Sequence, residues 1–306
     1  MVAVATTTQG VTTYSAVPLE GLVARDPLPF SLYLRTSEHT WVLYQPATTQ
    51  LDDSHLGRLT AEGVRQLFIR DSDRGAYFAR VETAIDRVLL ERTMPIERRA
   101  DVLFGVATRV ADDLLAAVPD RATLQRAQKV MMATSGFLLR ETQGFAALRR
   151  VLTASPGLAA HSLTVSFLSM GLARIVLGAD GGTLLHAGLA GMLHDVGKIG
   201  HEHLDHDPEH TTRGADYLRG LNLPAPIVDA ARCHHERWDG SGFPSGLRGD
   251  RIPELARIVG LVNTFDKIYS AQQPRIGVFD ALRILAQAYR GCFDERLAVG
   301  LVKLFR

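Results

Sequence analysis

Histidine is spread unevenly along this chain, and that distribution constrains it more than any other feature. Nine of the eleven histidines among its 306 residues follow Ser155. Four of them stand in three contexts: His194-Asp195 inside LHDVGKIG, His210, and His234-His235 at the head of HHERWDGSGFP. A histidine joined to an aspartate, with more histidines arriving from separate segments, surrounds a divalent cation with nitrogen and oxygen donors, the mixture that transition-metal hydrolases use. The stretch from Leu193 to Phe265 therefore organises the chain, and a phosphohydrolase with paired metals is the first expectation.

The length allows about two domains, each with its own apolar core. A formal net charge of +1 argues against a nucleic-acid polymer as partner. Cys233 and Cys292 are too few for a disulfide framework, so a reduced, cytoplasmic chain is expected. Residues 1–15 read as a disordered polar tail without a secretory pattern, and no membrane anchor is expected, because the apolar stretches elsewhere are interrupted by charges at helical spacing.

Residues 16–95 read as a small α+β regulatory domain. FSLYLRTSEHTWVLYQP alternates as a hairpin around Thr36 to His39, Asp53 or Ser54 caps a helix stopped by Gly63, VRQLFI is a strand, and one helix follows from Asp73. Residues 96–150 read as a connector of two long helices separated by Pro119-Asp120. They either relay a signal, support a homodimer, or complete the C-terminal core. Residues 151–306 read as all helix. His161 opens one helix, His186 lies near the start of another, Asp207 and Pro208 begin the helix carrying His210, Pro224 and Pro226 begin the one ending at His234-His235, and Pro253 begins the one carrying Asn263 and Asp266 one turn apart.

The ordered set His161, His194-Asp195 with Lys198, His210 and HHERWDGSGFPSGL resembles the HD-GYP family, metal-dependent phosphodiesterases of bacterial cyclic di-GMP within the HD superfamily. The resemblance covers roughly the last 150 residues and implies an all-α HD-GYP helical bundle behind the α+β domain. It implies that His161, His194 and Asp195 hold one metal, that Asp195 bridges to a second held by His210, His234 and His235, and that Asn263 and Asp266 complete the first. Two divalent transition metals, iron or manganese, are the implied cofactors. Lys198 and Asp195 are the implied catalytic residues, and Lys198, Gly242, Phe243, Pro244 and Arg275 the implied substrate contacts. Such a pair of ions polarises a phosphodiester and activates water near neutral pH.

The departures are specific. Asn263 stands where the family carries aspartate, Phe243 replaces the signature tyrosine, Gln272 replaces an arginine, and Gly157 stands where a glutamate would invite a third metal. The expected function is hydrolysis of cyclic di-GMP to linear pGpG, with GMP as the alternative end product. The alternatives are a degenerate module that holds metal or nucleotide and signals to partner proteins, and an HD-superfamily nucleotidase for another substrate. Other histidines have structural readings: His186 as a core residue, and His201, His203 and His206 as loop residues. Trp238 either stacks on a guanine or anchors its loop.

Overall fold

The computed structural model describes residues 12–19, 22, 27–38, 40–51, 53–64, 66–151, 157–201, 207–271 and 276–306. The chain divides into two compact units, Met1–Val102 and Leu103–Arg306.

The first unit holds a four-stranded antiparallel sheet of β1 (Tyr14–Pro18), β2 (Leu32–Ser37), β3 (Thr40–Gln45) and β4 (Gln66–Arg70), in the order β1-β4-β2-β3. The β2–β3 hairpin and the β4 strand occur where alternation of apolar and polar residues requires them, and the tip residue His39 lies outside the described residues. The sequence reading missed β1. Tyr14 and Ser15, read there as tail, pair with Arg70 and Ile69, and the Tyr14 ring stacks on Trp41 at 4.7 Å. A strand that opens with polar residues has no alternation to announce it, and this one is specified by its partner.

Helix α1 (Asp53–Ala61) ends before Gly63, whose φ of +82° is the left-handed conformation expected of a stop. The helix expected after Asp73 is two, α2 (Arg74–Thr83) and α3 (Ile85–Leu90), broken at Ala84. Both keep the apolar stripe, with Tyr77, Val81, Ile85, Val88 and Leu89 buried. A break at alanine leaves no mark in composition.

Helix α4 (Ile96–Leu115) leads into the second unit, which contains α5 (Arg121–Arg140), α6 (Gly144–Val151), α7 (Leu158–Leu177), α8 (Gly181–Leu193), α9 (His210–Gly220), α10 (Ala225–Cys233), α11 (Glu254–Ala271), α12 (Val278–Ala288) and α13 (Glu295–Leu304). The second connector helix is thus also two, divided near Glu141. Asp120 caps α5 and Asp180 caps α8, each accepting the N–H of a threonine three residues on at 2.8 Å.

Helices α7 and α8 form the centre of this unit. A Cβ at Gly191 would stand 2.6 Å from Ser166 Cα, so only glycine permits this approach, and Ser166 Oγ donates to the Gly188 carbonyl at 2.7 Å across the seam. The contact sets the start of α7 beside the end of α8. Among the described residues α7 alone is long and apolar enough to cross a membrane by length and composition, and 61% of its apolar window is buried within the protein.

Candidate metal centre

Five helices deliver the side chains. His161 lies in the first turn of α7, His194 and Asp195 follow the last turn of α8, His210 opens α9, His234 and His235 follow α10, and Asn263 and Asp266 face inward from α11. Asp195 is the hub. Its Oδ2 is 3.3 Å from His194 Nε2 and 2.6 Å from Lys198 Nζ, while Oδ1 is 3.2 Å from His210 Nε2 and 3.5 Å from His234 Nε2.

The other ring nitrogens are committed elsewhere. His194 Nδ1 donates to the Gly191 carbonyl at 2.8 Å, His234 Nδ1 to that of Ala231 at 2.9 Å, and His210 Nδ1 to that of Asp207. His161 Nδ1 meets Asp266 Oδ2 at 2.6 Å. These bonds fix the tautomer and turn each Nε2 inward, as ligand histidines require. Burial lowers the pKa of His194 and takes that of His234 down to about 3, and the same cause drives His235 strongly downward. Burial opposes ionisation of Asp195, yet the charge and N–H donors that His194, His210 and His234 present to it when protonated hold its carboxyl well below the usual range.

Neutral imidazoles with Nδ1–H donated outward present lone pairs to a carboxylate that is also all lone pairs. Such acceptors repel unless a cation lies between them. His161 Nε2, His194 Nε2, Asp195 Oδ1 and Asn263 Oδ1 are buried without a hydrogen-bond partner. Two groups have ligand atoms within 4.8 Å of one another: Asp195, His210, His234 and His235, and His161, His194 and Asp195. The donor set fits divalent metal, with Asp195 common to both groups. Of Asn263 and Asp266, both expected with the first group, Asp266 is bonded to His161 of that group, and Asn263, one turn earlier on α11, carries a buried, unpartnered amide oxygen.

Backbone approaches hold these segments together. A Cβ at Gly197 would fall 2.1 Å from the His210 carbonyl oxygen, and one at Gly242 would fall 2.4 Å from that of His235. The Phe243 ring stacks on His235 at 4.7 Å, with a cis peptide bond to Pro244. Gly157 has φ +117° at the start of α7. Trp238 lies under the Arg257 guanidinium at 5.5 Å, which gives it an anchoring contact within the fold. His201 Nδ1 contacts the Ile199 carbonyl at 3.2 Å. Gln272, Arg275, His203 and His206 lie outside the described residues.

Sequence reasoning missed several residues that build the site. Glu236 is buried, and its two oxygens accept the N–H groups of Ser245 at 2.7 Å and Leu247 at 2.9 Å, folding the signature loop back beneath His235. Arg213 donates from Nε to the Gly197 carbonyl at 2.8 Å and pairs with Asp207, whose own carbonyl holds His210. Asp207, read as the cap of the His210 helix with Pro208 at its first position, stands before it instead: α9 begins at His210 with Glu209 at its N-cap and no side-chain cap, and Asp207 accepts the N–H of Glu209 at 3.0 Å in the turn that precedes the helix. Lys267, beside Asp266, carries its charge near His235 and Asp195. A glutamate directly after paired histidines is a readable signal; an arginine on a polar helix face is not.

Residues 172–297 match the family model of the HD domain. This matched stretch lies within the second unit and is similar to HD domains; it includes His194, Asp195, His210, His234, His235, Asn263 and Asp266. Matched relatives of the chain include a cyclic di-GMP phosphodiesterase of Pseudomonas aeruginosa, 32% identical over 185 residues, which are 55% of this chain and 44% of the relative. The cyclic di-GMP phosphodiesterase response regulator RpfG of Xanthomonas campestris is 34% identical over 132 residues, covering 38% of this chain and 35% of that protein. A 3'3'-cGAMP-specific phosphodiesterase of Vibrio cholerae is 34% identical over 94 residues, 26% of this chain and 18% of the relative. The chain spans less than half the length of these relatives. An HDG"Y"P protein of Bdellovibrio bacteriovorus shares the fold, with a TM-score of 0.65 at 19% identity over 96% of this chain and 99% of that one.

Proposed function

We propose that the second unit hydrolyses cyclic di-GMP to linear pGpG and on to GMP with two divalent transition metals, iron or manganese. One observation carries the reading: two metal-capable groups share one carboxylate, Asp195, as a binuclear phosphodiesterase requires. When bound, the metals supply Lewis acidity toward the scissile phosphate. The first is assigned to His161, His194 and Asp195 with the Asn263 amide oxygen, and the second to Asp195, His210, His234 and His235. Asp266 holds the His161 ring through Nδ1, so its carboxylate acts through that bond.

The remaining roles follow from the residues. Lys198 Nζ, 2.6 Å from Asp195, delivers a cation to the point where charge develops on phosphate oxygens. The loop Gly242-Phe243-Pro244, closed onto His235, forms one wall for the nucleotide, with Arg275 assigned to contact it as well. The domain plan is proposed on the same footing: the α+β unit regulates, and the connector supports a homodimer or relays to a signalling partner.

A second reading is a module that binds metal and nucleotide without turnover, favoured by the amide at Asn263 in place of a carboxylate. The test is anaerobic purification, metal quantification, and chromatography of cyclic di-GMP incubated with manganese or ferrous iron. Release of pGpG supports the enzyme, nucleotide retained unchanged supports the module, and action on other phosphoesters alone supports a nucleotidase.

A further inference from the structure

Lys267 has no part in the assignments above. It follows Asp266 on α11, one helical turn beyond Asn263, so positions 263, 266 and 267 share the helix face turned toward the metal-capable groups. The bond between Asp266 and His161 fixes that face against the site. Asn263 and Asp266 are buried, whereas the Lys267 side chain is accessible to solvent. Position 267 thus stands at the solvent edge of this face, where its charge is felt by His235, Asp195 and Lys198.

The two lysines differ in what they hold. Lys198 is paired with Asp195 at 2.6 Å, whereas among the described residues Lys267 forms no ion pair. Asp195 and Asp266 attract this ammonium while Lys198 and Arg237 repel it, and its position at the solvent edge leaves it open to an incoming anion. Relative to a site with aspartate at 263, this one is also one charge more positive. Both features suit a ligand that carries more negative charge than one phosphodiester.

We propose that Lys267 is a specificity-determining residue that binds the second, non-scissile phosphate of a cyclic dinucleotide while Lys198 attends the scissile one. The proposal rests on the phosphodiesterase reading above. A cyclic dinucleotide carries two phosphodiesters about one ring, so a cation at the rim discriminates it from substrates with a single phosphate. The contact is a charge-assisted hydrogen bond in a partly solvated place, which supports an effect of about tenfold in affinity.

The experiment compares the manganese-loaded full chain with Lys267→Gln and Lys267→Arg, after metal quantification shows equal loading. Two readouts are taken: calorimetric binding of cyclic di-GMP and of inorganic phosphate, and turnover of cyclic di-GMP and of bis(p-nitrophenyl) phosphate, which has a single phosphodiester. Lys267→Gln is expected to weaken cyclic di-GMP binding and raise its KM about tenfold, to leave inorganic phosphate and the single diester within about twofold, and to be rescued by Lys267→Arg. Equal losses for both ligands, or no loss for either, overturn the proposal even where the native chain turns over cyclic di-GMP. Binding that depends on Lys267 without hydrolysis by the native chain supports the proposal and overturns the phosphodiesterase reading alone.

Discussion

Replacing Asn263 with aspartate places a carboxyl at a position only 1% exposed, whose present oxygen has no hydrogen-bond partner. In the metal-free protein the introduced group is expected to stay protonated, its folded pKa raised by burial. Holding a carboxyl of ordinary pKa about 3.9 neutral at pH 7 costs up to about 4 kcal/mol, at about 1.4 kcal/mol per pH unit. The sign follows. The folded state binds the extra proton, so the penalty is absent below about pH 4 and grows as pH rises from there toward the folded pKa. With divalent metal present the same group becomes an anionic ligand. Even at an effective dielectric of about 20 the added charge is worth a few kcal/mol at contact distance before desolvation, so metal affinity should rise about tenfold or more. Urea unfolding of Asn263→Asp at pH 5 and pH 7, with chelator and with manganese, separates the two effects. The variant should be less stable than the native chain in chelator, more so at pH 7, and should regain the loss with metal. A variant indifferent to both pH and metal would place Asn263 away from the centre and refute the reasoning.

Removing the carboxylate that holds His161, by Asp266→Ala, should weaken metal binding by about 10- to 100-fold with the helical circular dichroism retained, as read by competition with a chromogenic chelator. Glu236→Gln leaves one of the Ser245 and Leu247 N–H groups facing an amide N–H in a buried place. It should cost about 1–3 kcal/mol in urea unfolding and accelerate amide exchange at those two residues. For the metal-free native chain, His194, His234 and His235 have folded pKa values below that of a free imidazole. The unfolded chain therefore binds more protons, and stability should fall as pH drops below about 6.5, by up to about 1.4 kcal/mol per pH unit for His234 until its folded value of about 3. The depressed Asp195 contributes in a lower window, its stabilisation lost as pH falls below the carboxylate's usual range. Flat stability between pH 7 and pH 5 in chelator would contradict the neutral, buried assignment of these rings.

The residues that the structure gathers into metal-capable groups were legible because metal chemistry restricts residue type: His194-Asp195 and His234-His235 have few structural uses at that density. The helices carrying them were legible because apolar stripes and proline starts are local. What surrounds them was not. Arg213 touches Gly197 sixteen positions away, and Glu236 reaches Ser245 and Leu247 across a turn. Neither contact has a periodic signature. The surroundings of Asp266 show a subtler limit. Spacing put it on the same face as Asn263, but only the three-dimensional arrangement shows its oxygen against His161. β1 went unread because its order comes from pairing with β4, and the breaks at Ala84 and Glu141 because no glycine or proline marks the residue where each helix ends.

The bond between His161 and Asp266 joins residues 105 positions apart. Contacts of that separation are late events in folding, because the loop they close must first lose its entropy. The ring facing Asp195 thus depends on the docking of α11, the last of the five contributing helices to emerge during synthesis. A nascent chain stopped before Asp266 lacks the carboxylate that orients His161, although it already carries His194, Asp195, His210, His234 and His235. The second metal group is complete in sequence 31 residues before the partner of His161 exists, His235 against Asp266. Vectorial synthesis therefore delivers every histidine and the shared aspartate of both metal-capable groups before the residue that orients His161, so the His161–Asp266 bond reports whether α11 has docked.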